Sequence, residues 1–255
     1  MRSSHPLLYT AWKQLIRAYL IAMVISLAIG LMVIRVGFLS PERLFDASTQ
    51  RIASVLPAFE LGIRAGLDLG LLLFGWNLFG AFATISFLYT AAFFNPDHMG
   101  MPPRRLRRIF CGSRKMKLLC HLPGCSKIKV ESLRRLYVWL MVPLLGIILL
   151  GLESGLQIST GVYLHGSLMA AVAPLLAHGL IEIPIFILAG AVTFSAHLCI
   201  RKAVQRNQTQ SVFQKLDAHR KAMPIRTIAW SVIGGLLVAG LVEAHVTPRI
   251  MQLLG

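Results

Sequence analysis

His178 and Glu182 are the residues of this chain whose types and spacing invite chemistry. They lie four apart within an apolar run from Pro174 to Cys199, so on a helix they share one face. A charged side chain at hydrocarbon depth costs about 3 kcal/mol on insertion scales, so such a carboxyl faces protein or water rather than lipid. Two readings stay open at this point. In one, the pair is structural and hydrogen-bonds neighbouring helices. In the other, it handles protons or ions, or recognises a helix of a partner. Pro184 would leave the Leu180 carbonyl without its usual helical donor, and Gly179 and Gly190 would let another helix come close. Asn77, Asp68, Glu153, His165, His197, Glu243 and His245 are the available polar companions.

A second cluster invites a zinc reading and does not sustain it. Cys111, Cys120 and Cys125 are spaced by nine and then five residues, with His121 between them. Zinc sites usually carry a tight Cys-x-x-Cys pair, because two thiolates must reach one tetrahedral ion. These cysteines read better as reduced cytoplasmic thiols. There is no P-loop, no serine nucleophile elbow and no His-Glu-x-x-His. The chain is therefore expected to be no enzyme and to hold no metal and no cofactor.

The elements that must position these residues are membrane helices. Of the 255 residues, 56% are hydrophobic and only 14% charged, against about 25% charged in soluble domains. The net charge of +16 would suggest nucleic acid on a soluble surface. Here, however, the basic residues fall in blocks between apolar runs, as they do on the cytoplasmic side of a membrane protein. No aromatic-basic interleaving supports nucleic-acid binding. Four cysteines do not make a secreted disulfide framework.

Five crossings are expected, at about 18–39, 67–93, 136–157, 174–200 and 227–246, the last ending at Pro248. The first is longer than a signal-peptide core and reads as a retained anchor, with Trp12 and Tyr19 as interfacial anchors. Between the first two crossings, 40–64 reads as an interfacial amphipathic helix interrupted near Pro57. Asn95-Pro96-Asp97 ends the second. Residues 158–173 hold no Lys, Arg, Asp or Glu and suggest a re-entrant or interfacial piece packed on protein. The blocks 99–136 and 201–226 read as basic cytoplasmic loops. The N-terminus and these two loops carry the Lys/Arg excess, which puts the N-terminus inside and the C-terminus outside. The fold class is all-α: a polytopic membrane helix bundle forming a single domain over 1–255, without an internal repeat.

The run His178-Gly179-Leu180-Ile181-Glu182-Ile183-Pro184 resembles the hallmark of the stage II sporulation protein M family of multi-pass membrane proteins. That hallmark reads Pro-His-Gly, two apolar residues, then Glu-Leu-Pro-Ala. Here Ala177 stands for the first proline, Ile183 for the leucine and Ile185 for the alanine. Asn77, within Phe74-Gly75-Trp76-Asn77-Leu78, is similar to the family's asparagine in an early crossing, and Gly151 and Gly155 to its paired glycines. The resemblance spans roughly Leu67 to Ile200, with 99–136 as an insertion. It implies an integral membrane protein of a family whose members mostly have no assigned chemistry, and the cytoplasmic membrane is the expected location. The family's best-known role is to hold a cell-wall-remodelling complex in the membrane, although sporulation itself does not follow. The motif is then His178, Gly179, Glu182 and Pro184, with Asn77 meeting them across helices. Expected partners are anionic headgroups at the basic loops, other membrane or envelope proteins, and a second copy of the chain. The alternative is a transporter or permease component that uses His178 and Glu182, with 158–173 as a gate.

Overall fold

The computed structural model describes residues 4–53, 55–91, 128, 131–206 and 211–254. Among them lie ten helices and no strand: α1 (Ser4–Arg35), α2 (Pro41–Ala53), α3 (Leu56–Arg64), α4 (Leu69–Thr90), α5 (Glu131–Trp139), α6 (Val142–His165), α7 (Leu168–Gln205), α8 (Val212–Lys221), α9 (Ile225–His245) and α10 (Thr247–Leu254). Five helical stretches are long and apolar enough to cross a bilayer: Pro6–Arg35, Leu69–Thr90, Leu133–His165, Leu168–Gln205 and Ile225–Leu253. The all-α polytopic bundle is thus present. Cys111, Cys120, His121 and Cys125, the Asn95-Pro96-Asp97 break and most of the basic block 99–136 lie outside the described residues.

Local chemistry sets the helix ends. Asp68 caps α4, its Oδ1 accepting from the backbone N–H of Gly70 at 2.8 Å and of Leu71 at 3.3 Å. Pro57, at the start of α3, separates it from α2 because proline is tolerated in a first turn and not within a helix. After α1 the chain turns at Gly37 (φ 75°), where Phe38 N–H reaches the Val33 carbonyl and Gly37 N–H reaches that of Ile34.

Two sequence expectations are corrected, for residues 158–173 and for Tyr19. Residues 158–173 form no separate piece: α6 continues to His165, the chain reverses at Gly166 and Ser167, and α7 begins at Leu168. Gly166 has φ 70°, which glycine adopts without a Cβ penalty, and Ser167 Oγ accepts from Ala170 N–H at 3.0 Å as the α7 cap. The basic N-terminal segment is helical from Ser4, continuous with the first crossing. Tyr19, expected at the headgroups, turns inward: it is 3% exposed, and its hydroxyl donates to Ser154 Oγ at 3.0 Å.

By contacts the chain forms two compact units. One comprises 14–81, 146–188 and 225–255. Within it, α1 and α6 meet along small residues four apart on each helix: Ala22, Ser26 and Gly30 against Gly151, Gly155 and Ser159. All six are buried. A Cβ on Gly151 would stand 2.5 Å from the Tyr19 carbonyl oxygen, and one on Gly155 would run into Ser26 Oγ and the Met23 carbonyl. Between lipid-like helices there is no hydrophobic driving force, so association rests on this kind of close backbone approach. The outward side of α1 carries Leu20, Ile21, Val24, Ile25, Ile29 and Met32, all exposed, as a lipid-facing helix would.

The other unit comprises 1–13, 82–145 and 189–224. Its core is the second half of α7, where residues 191–198 are all buried. The polar groups there are bonded internally. Thr193 Oγ1 donates to the Thr84 carbonyl at 2.8 Å, and His197 Nδ1–H to the Tyr137 carbonyl at 3.1 Å. The Ser195 hydroxyl lies 2.8 Å from the Val192 carbonyl oxygen and 2.9 Å from His219 Nε2, with which it shares a buried hydrogen bond. Trp139 Nε1–H donates to Thr90 Oγ1 at 3.0 Å.

Two predictions follow from this packing. Gly155→Ala should destabilise the protein in detergent by about 1–3 kcal/mol through overpacking, whereas Gly234→Ala, with open space around its Cβ position, should be neutral or slightly stabilising. Equal thermal-denaturation midpoints for the two variants would remove the small-residue account. Burial also holds His219 below its ordinary value of 6.5. The unfolded chain therefore binds the proton more readily, and stability present above about pH 6.5 should fall as the pH drops below it. His219→Gln should flatten that fall relative to the wild type in midpoints measured between about pH 7.5 and pH 5.5.

Candidate functional site

The site is built on α7, the most enclosed of the bilayer-length helices: 67% of its most apolar stretch is buried, against 22% for the first crossing and 17% for α4. The helix runs through both Pro174 and Pro184 without ending. Inside a bundle a proline need not break a membrane helix, because neighbouring groups can satisfy the backbone it frees. Glu182 lies one turn beyond His178 and faces α4, where Asn77 Nδ2–H donates to Glu182 Oε1 at 3.1 Å. Both residues are partly buried. The expected meeting of Asn77 with the motif is therefore present as a direct hydrogen bond.

A third helix completes the cluster. Glu243, two residues from the end of α9, brings a carboxylate oxygen to the pair, so that one ligating atom each of His178, Glu182 and Glu243 lies within 4.8 Å of the others. Two ionised carboxylates at that separation repel by about 3 kcal/mol at an effective dielectric of about 20. The arrangement therefore calls for a compensating positive charge: an imidazolium, a proton or a bound cation. His178 Nδ1 is buried without a hydrogen-bond partner. His178 and Glu243 line a cavity of about 320 Å³ walled also by Phe45 and Thr49 of α2, Gln157 and His165 of α6, and Pro174 of α7.

Glycines bring these helices close. A Cβ on Gly240 of α9 would stand 2.7 Å from the Gly70 carbonyl oxygen of α4, and one on Gly235 would stand 2.6 Å from Ile185 of α7. Gly179 does not do this. The nearest atoms to its Cβ position belong to Ile183, at 3.2 Å, and Leu175, on its own helix. The close approach expected at Gly179 is made by α9 glycines instead.

The remaining companions divide by place. His165 shares the cavity with His178. Asp68 Oδ2 and His245 Nε2 pair at 3.1 Å, joining the start of α4 to the end of α9. His197 lies in the other unit, against Tyr137 and Phe194. Glu243 appears in the sequence as one polar residue near a helix end, and no local spacing ties it to a motif 65 positions upstream.

Residues 132–248 match the family model of Stage II sporulation protein M. Over that segment, a little under half of the chain, it is similar to the stage II sporulation protein M family. The match holds α6, α7 and α9, and with them Gly151, Gly155, His178, Glu182 and Glu243. It begins later than the resemblance read from the sequence and runs on past Ile200 through α9, while Asn77 lies outside it. No curated protein and no solved structure matches the chain. The match to this family and the five bilayer-length helices together fit a helical membrane protein.

Asn77 and Glu182 should be energetically coupled. A double-mutant cycle of Asn77→Ala and Glu182→Ala, read by reversible unfolding in mixed micelles, should return about 1 kcal/mol of interaction. A coupling of zero would mean that the bond contributes nothing to holding α4 against α7.

Proposed function

We propose that this chain is a stage II sporulation protein M family member and a non-enzymatic scaffold that anchors a protein complex in the cytoplasmic membrane, with a link to cell-envelope remodelling. The observation that carries the reading is the Asn77–Glu182 bond. A carboxylate that is costly within an apolar helix is used to tie two helices together, and close glycine contacts from α9 reinforce the tie. Such a bundle presents partners with one fixed arrangement of helices. The basic blocks support an orientation with the N-terminus and the loops 99–136 and 201–226 in the cytoplasm. There they would meet anionic headgroups at about 1 kcal/mol per Lys or Arg near the surface. The ends of α7 and α9 that carry the polar cluster would then lie towards the outer face. Partners expected on this reading are membrane or envelope proteins, a wall hydrolase among them, and a second copy of the chain.

A second reading, a transporter or permease component, is favoured by one observation: the cavity reached by His178 and Glu243. Reconstitution in liposomes with a pH-sensitive dye separates the two readings. Proton or solute flux lost on Glu182→Gln supports transport.

The scaffold reading is tested by tagging the full chain in its own membrane, cross-linking, purifying in mild detergent and identifying what comes with it. A wall-remodelling protein should co-purify with the wild type, and its recovery should fall several-fold with Glu182→Leu at equal chain abundance. If that variant accumulates, assembles and retains its partner as the wild type does, the polar tie has no part in anchoring.

A further inference from the structure

We propose that His178, Glu182 and Glu243 form a site for a divalent transition-metal ion that clamps α7 to α9. The proposal goes beyond the anchoring role and does not depend on it, since a clamping ion would be resident whether the chain anchors or conducts.

The donor set is the first argument. An imidazole nitrogen and two carboxylate oxygens converge within 4.8 Å of one another. Ligands at zinc-like bond lengths of about 2.0–2.2 Å stand about 3.4 Å apart in a tetrahedral site, so side-chain rotations that move the donors by about 1 Å close the set. His178 and Glu182, four residues apart on α7, offer their donors from one helical face, and Glu243 supplies the third from α9. One imidazole with two carboxylates suits Zn²⁺, Mn²⁺ or Fe²⁺, whereas Ca²⁺ and Mg²⁺ favour sites made wholly of oxygen.

Charge is the second argument. Two carboxylates and a divalent ion sum to zero, which resolves the repulsion between Glu182 and Glu243 in a weakly screened place. The third argument is what surrounds the donors. His178 Nδ1 is buried without a hydrogen-bond partner among the described residues, so no protein group there fixes the tautomer that would leave one ring nitrogen for an ion. Asn77 donates to Glu182 Oε1 at 3.1 Å, the kind of outer contact that fixes a ligating carboxylate. The cavity of about 320 Å³ lined by His178 and Glu243, and also by His165 and Gln157, has room for an ion and its waters.

The test uses the full-length chain with a tag free of histidine, in nanodiscs. Cys111, Cys120, Cys125 and Cys199 are replaced by Ser so that no thiolate can bind. After chelator treatment, Zn²⁺ is titrated calorimetrically and the bound metal counted by mass spectrometry. About one ion per chain should bind and raise the thermal midpoint. Glu243→Gln and His178→Gln, checked for monodispersity and helicity, should each weaken binding by more than about 10-fold and abolish the midpoint shift, and Asn77→Ala should weaken it by roughly 10–100-fold. Should either ligand variant fail to fold, the parent chain decides through its Co²⁺ visible spectrum: nitrogen–oxygen ligand-field bands support the site, and a spectrum of aqueous cobalt overturns it. Failure of the parent chain to bind Zn²⁺, or unchanged binding in folded Glu243→Gln and His178→Gln, also overturns it. Neither result bears on whether a partner is anchored.

Discussion

A carboxylate in a helix long enough to cross a bilayer has to be met by protein, and the architecture around α7 follows from that requirement. Glu182 is met by Asn77 from α4 and approached by Glu243 from α9, so three helices are drawn to one point. The same physics disfavours Glu182 facing lipid, because exposure to acyl chains carries the full cost of the charge or of an unsatisfied polar group. A helix of leucine and isoleucine alone would fix no rotation about its own axis. A helix with Glu182 and His178 on one face has to present that face to its neighbours.

Small residues supply the complementary constraint. Water-driven burial does not hold membrane helices to one another, so contact has to come from backbone proximity and polar bonds. The α1–α6 seam shows both within two turns: Gly151 and Gly155 meet the backbone of α1 while the Tyr19 hydroxyl reaches Ser154. At the α4–α9 contact, Gly70 and Gly240 play the same part, and the Asp68–His245 pair closes the end. The glycines with a Cβ position in open space, Gly75 and Gly234 among them, show that composition alone does not mark a seam.

This distinction explains what could be read from the sequence. The helical crossings were legible because apolar length and charge blocks are local signals, and so was the amphipathic pair α2 and α3, split beside Pro57. The meeting of Asn77 with Glu182 was legible because a polar residue in an apolar run is conspicuous and needs a partner. The turn at Gly166 was not, since a charge-free stretch fits a re-entrant piece as well as two helix ends, and one positive-φ glycine decides between them. Nor was the role of Glu243, which depends on how α9 packs and on no spacing along the chain. The row Ala22, Ser26 and Gly30 did carry a sequence signal, small residues four apart on the first crossing, but it gains meaning only beside the matching row on α6.

The placement of polar groups along α7 also bears on the choice between anchoring and conduction. A path through the membrane needs polar atoms left free to meet its cargo along the whole route. In the second half of α7 the hydroxyls of Thr193 and Ser195 are engaged with backbone carbonyls, and His197 Nδ1 with the Tyr137 carbonyl. Residues 191–198 are buried throughout. His178 and Glu243, which line the cavity, lie in the first half of α7 and in the last turn of α9. Polar groups of the second half of α7 are thus spent on its own packing, and those of the first half on the cavity and the bond to Asn77.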